Sequence, residues 1–125
     1  MIDLKILRRA ALMGIGFELA LVAGGYFWPH SRPGLMFGCM LVAAVAGMFY
    51  ARDLGRGFGA GALGGALTGA ASGTAAVVAA SFLDERPEIY LPYGVMVMML
   101  TGTVGGIFGE LDVRLRRYIV RKLTR

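Results

Sequence analysis

The chain has 125 residues, 57% of them hydrophobic and 17% charged, against about 45–50% and about 25% in ordinary soluble domains. Its apolar residues are clumped into long runs and its net charge of +5 sits at the ends of those runs, which points to membrane headgroups and away from nucleic acid. A single cysteine, Cys39, excludes a disulfide framework or a Cys/His zinc cluster within one chain.

The pattern predicts one all-α integral membrane domain over residues 1–110. Four transmembrane helices are expected at about 10–28, 34–50, 58–83 and 91–108, with a basic amphipathic tail over 111–125. Residues 1–9 form a short basic lead. The first span carries one charge, Glu18, and ends in Tyr26-Phe27-Trp28, aromatics that favour the headgroup level. It has no small-x-small cleavage site, so it does not read as a removable signal. Pro29 stops it, and His30 to Pro33 make a turn. The second span is short for a crossing, which needs roughly 17–25 residues. Cys39, Ala43, Gly47 and Ala51 line its small-residue ridge.

The third span is the one around which the others are expected to pack. Gly57, Gly61, Gly65, Gly69 and Gly73 recur every four residues, beside a second row of Ala60, Gly64, Thr68, Ser72 and Ala76. Positions four apart stack on one helix face, and small-residue faces let helices approach closely in lipid. So much glycine argues against a helix in water. In a bilayer, however, unpaired backbone groups cost several kcal/mol each, which forces the helix to close. Residues 57–80 carry no charge and no proline, and their large side chains are Phe58, Leu63, Leu67, Val77 and Val78. The helix should therefore be a glycine zipper, long enough to tilt or protrude.

An acidic turn follows at Asp84 to Glu88. The fourth span repeats the small-residue theme with Thr101, Gly105 and Gly109, flanked by Gly102 and Gly106. In the tail, Glu110 with Arg114 and Asp112 with Arg116 are favourable four-residue pairs. Leu111, Leu115, Tyr118 and Ile119 share one side. The tail is expected to lie on, or extend from, the membrane surface, with Arg114, Arg117, Arg121 and Arg125 meeting lipid headgroups.

Four spans place both termini and the 52–56 loop on one side. That side holds eleven Lys and Arg residues, against Arg32 and Arg86 on the other. The bias predicts cytoplasmic termini, in a bacterial inner membrane or its equivalent.

Candidate chemistry is sparse. Glu18 sits near the middle of its span, where a carboxylate costs about 2.5–3.5 kcal/mol on insertion scales. It lies on the small-residue face with Ala11, Gly14 and Gly25, toward other helices. Thr68 and Thr101 fall at similar depth and are its expected hydrogen-bond partners. Glu18 is thus either a neutral structural acid or a proton or ion site. Met36, Cys39, Met40 and His30 could suit a soft metal, but methionine is ordinary filler in apolar helices, and no metal or cofactor is expected. The glycine ladder lacks the strand and the Lys-Ser/Thr of a phosphate loop. The one histidine lies in a turn. No enzyme is expected.

Some family patterns bear on these features. A first-span glutamate is shared with small multidrug transporters, but their flanking pattern is missing and the charge bias opposes the mixed topology some of them use. Small fluoride channels need an intramembrane asparagine, and this chain has none. Gly16-Phe17-Glu18-Leu19-Ala20, Gly25-Tyr26, Pro33 and Gly47 together resemble the hairpin of ATP synthase protein I, an accessory membrane factor of rotary ATP synthases. The likeness covers roughly residues 12–50 and departs at Trp28-Pro29, where that family usually has an acidic residue. It implies an accessory role. Two functions are therefore expected: a structural or assembly subunit of a membrane complex, or a small oligomeric channel or proton-coupled transporter using Glu18.

Overall fold

A computed structural model describes residues 2–28, 30, 32–83 and 91–125. The expected stop at Pro29, the acidic turn 84–88 and Arg86 lie outside the described residues. Among these residues four helices follow in order: α1 Leu4–Phe27, α2 Arg32–Leu54, α3 Phe58–Leu83 and α4 Leu91–Leu123. Each is long and apolar enough to cross a membrane.

Local chemistry sets the described ends. The Asp3 side chain accepts hydrogen bonds from the Lys5 and Ile6 backbone N–H groups at 3.0 and 3.3 Å. It thereby occupies donors that the first turn of a helix leaves free. Gly55 closes α2 with a positive φ of 54°, and its N–H bonds the Ala51 carbonyl at 2.8 Å, a left-handed helix cap. Within α3, hydroxyls bond back to carbonyls of their own helix: Thr68 to Gly65 at 3.0 Å, Ser72 to Gly69 at 3.3 Å, Thr74 to Ala70 at 2.7 Å. These polar side chains satisfy themselves without water.

The structure departs from the sequence pattern in three places. α2 is longer than the expected second span at both ends, so positions 32–33 of the expected turn and Arg52, Asp53 and Leu54 of the expected loop are helical. Gly57 is not part of the helical ladder. It precedes α3 with φ 114°, and a side chain there would meet nothing within 4 Å. The backbone must turn from α2 into α3 within three residues, and that turn uses the glycine. The tail, expected to lie on or extend from the membrane surface, is not a separate helix. It continues α4 without a break to Leu123.

Neighbouring helices in sequence run antiparallel. α2 and α3 each touch all three other helices, whereas α1 packs on α2 and α3 and not on α4. The chain ends therefore lie at one end of the molecule, beside the 55–57 loop. The interior is built from small residues. Ala43 and Ala51 are fully buried, and Tyr50 is the largest wholly enclosed side chain among the described residues.

Candidate functional site

The glycine faces of α3 and α4 meet directly. A Cβ on Gly65 would collide with the Gly102 carbonyl, and one on Gly102 would collide with the Gly65 carbonyl. One step along, a Cβ on Gly106 would strike the Gly61 carbonyl, while one on Gly61 would lie 2.9 Å from the Gly106 oxygen. Gly69 faces the Met98 carbonyl, and a Cβ on Gly73 would lie 2.6 Å from the Met98 Cβ. Four of the five expected ladder glycines thus share one seam.

A second seam joins α2 to α4. Gly105 lies on the Ala44 backbone, Gly109 on Met48, and Gly47 against Gly102 and Gly106. Backbone fills the interior here, so no substitution at these glycines can be absorbed by a side-chain rotation. The other small row of α3 receives different partners. The Tyr50 ring lies against Gly64, and Gly14 of α1 sits where Ala46 and Ser72 converge; a Cβ on Gly14 would lie 3.2 Å from the Cβ of each.

Glu18 is fully buried among α1, α2 and α3. Its polar neighbour is the Cys39 thiol, but neither carboxyl oxygen completes a hydrogen bond. The expected threonine partners do not reach it. Thr68 donates to the Gly65 carbonyl. Thr101 donates to the Val97 and Met98 carbonyls at 3.0 Å, on a helix that α1 does not touch. Hydroxyls in apolar helices find a carbonyl one turn back, and this local bond wins. Among the described residues no set of three His, Cys, Asp or Glu could hold a metal.

The Tyr50 hydroxyl points at the Asp3 backbone without completing a hydrogen bond. Sequence reasoning misses this residue. The one available signal is a bulky aromatic in a helix whose ridge is otherwise small.

The basic tail has internal partners near its base. Arg114 lies 4.1 Å over the Phe58 ring and 3.6 Å from Glu110. Arg117 donates to the Gly55 carbonyl at 3.2 Å. Asp112 pairs with Arg116 at 3.1 Å and with Arg52 at 3.6 Å. Two of the four expected headgroup arginines, Arg114 and Arg117, therefore anchor the helix to the α2–α3 loop and the start of α3. All four arginines, Arg121 and Arg125 included, stay exposed. The chain matches no protein-family model, no curated protein and no solved structure.

Proposed function

We propose that this protein is a multi-pass membrane protein with both termini in the cytoplasm, acting as a structural or assembly subunit of a larger membrane complex. One observation carries the reading. The interior between α2, α3 and α4 is closed by backbone-on-backbone contact at Gly47, Gly65, Gly102 and Gly105, while large apolar side chains are exposed along α1 and α4, such as Phe17, Leu100, Val104 and Phe108. A rigid core with uncovered apolar flanks suits gripping other membrane helices through packing. The positive-inside count supports the orientation. Purification in mild detergent followed by native mass spectrometry tests the proposal. Larger subunits that co-purify in fixed stoichiometry support it, and a lone monomer overturns it.

A second reading has one observation in its favour: Glu18 is buried with both oxygens unpartnered, and intramembrane acids often mark ion or proton paths. In that reading the protein is a small oligomeric channel or proton-coupled transporter. Glu18→Gln should then abolish proton-linked flux in reconstituted vesicles. Unchanged flux overturns it.

A further inference from the structure

α4 continues past the bundle, and its outer face stays apolar after it leaves. The 55–57 loop marks the bundle's end, and it meets α4 at Val113 and Arg117: a Cβ on Gly55 would lie 3.6 Å from the Val113 side chain and 3.1 Å from the Arg117 guanidinium. Arg121 and Lys122 follow Val113 by eight and nine residues, which places them about 12–14 Å further out at 1.5 Å per residue. On this projecting stub Leu115 is 61% exposed, Tyr118 66% and Leu123 81%, and Ile119 is also exposed. Leu111, Leu115, Tyr118 and Ile119 form one stripe in line with exposed Val104 and Phe108 below, with Leu123 to one side of it. Within the span a bilayer would cover that stripe. On the stub no described residue does.

We propose that the stub docks an acidic amphipathic helix of a partner protein; this rests on the assembly reading and names the partner's chemistry. Charge selects it. The stub's acids, Glu110 and Asp112, are already paired with Arg114, Arg52 and Arg116. Among the described residues Arg121, Lys122 and Arg125 have no acidic partner. An apolar stripe with Lys122 set in it and Arg121 and Arg125 along one edge fits a helix with leucines on one face and carboxylates among and beside them, which would neutralise these cations as the stripe is buried. A second parallel copy is disfavoured, because Lys122 falls between Tyr118 and Ile119 on the same face, so two copies would set lysine against lysine. A lipid surface is disfavoured by reach. α3, with 26 residues, rises about 39 Å at 1.5 Å per residue, close to the roughly 40–45 Å of a bilayer with its headgroups, so for an upright bundle a stub about 12–14 Å beyond the 55–57 loop clears the headgroup layer.

The full chain, in nanodiscs of zwitterionic lipid, is titrated with a labelled synthetic helix bearing leucine at heptad a and d positions and glutamate elsewhere, beside a lysine counterpart. The expected result is saturable binding of the acidic helix alone. It should weaken about tenfold or more both in Leu115→Asp/Tyr118→Asp and in Arg121→Glu/Lys122→Glu. These exposed positions lie outside the packed core, and Cys39 protection confirms that the variants fold. No binding, equal binding of the lysine helix, or full binding by both variants overturns the proposal. So does a stoichiometry of two chains that Leu115→Asp abolishes, or burial in lipid of a fluorophore at position 119 when anionic nanodiscs are used. Native complexes that persist in the stub variants would sink this proposal and leave the assembly reading standing.

Discussion

Gly102→Ala tests the packing at its tightest point. The added Cβ would collide with the Gly65 carbonyl oxygen, and would lie 2.9 Å from the Gly69 Cα and 3.1 Å from the Gly65 carbonyl carbon. Ordinary contact starts at 3.4 Å, and the obstacle is backbone. The seam must therefore open by about 0.5–1 Å, a gap that forfeits roughly a quarter to a half of each facing atom pair's 0.1–0.2 kcal/mol. Over roughly 40 pairs along the seam the loss is about 1–4 kcal/mol. Alanine's better helix propensity returns up to about 1 kcal/mol, leaving a net destabilisation of about 2 kcal/mol, within the usual range for overpacking. The protein supplies its own reporter. Cys39 is the sole cysteine and is buried, so a thiol-reactive dye follows unfolding on heating in detergent. Gly102→Ala should lower the midpoint by roughly 5–10 °C. Gly59→Ala is the control, since its Cβ would meet nothing within 4 Å, and it should leave the midpoint unchanged or raise it. Equal midpoints for the two variants would refute the reasoning.

Three further outcomes are expected in the same melting assay. Gly64→Ala displaces the Tyr50 ring and should destabilise by about 1–3 kcal/mol, whereas Tyr50→Phe removes a buried hydroxyl without a hydrogen-bond partner and should stay within about 1 kcal/mol of the parent. Glu18→Met replaces an unpartnered buried carboxyl with an apolar chain of similar length and should raise stability by about 1–2 kcal/mol; a loss of that size would mean that the carboxyl is held by a partner outside this chain. Asp3→Ala removes the cap of α1 and should cost about 1 kcal/mol, with Asp3→Asn restoring most of it.

Periodicity carries most of the architecture. The four-residue spacing of glycines locates the face of α3 that meets α4, and the small residues around Glu18 locate the inward side of α1. Periodicity has no term for backbone torsion, so Gly57 falls into the ladder by spacing although its positive φ places it in the turn before α3. Nor does it record which acceptor a hydroxyl chooses. Thr68 and Thr101 share a depth with Glu18 in the sequence, but each bonds to its own helix. The tail's charges read as lipid contacts because they follow a span. Arg114 and Arg117 also find Phe58 and Gly55, partners more than fifty residues away that no local pattern could name. The fit of Tyr50 over Gly64 is likewise a contact between helices, legible only once they are docked.

The central claim is that the glycine stripe of α3 holds α4 inside a bilayer. Solid-state NMR on the protein in lipid, with carbon-13 confined to glycine, measures it directly through Cα–Cα correlations. Cross-peaks linking Gly65 to Gly102 and Gly61 to Gly106 are the predicted result. Their absence, with the Gly65 and Gly69 signals instead coupled to acyl-chain protons, would contradict it.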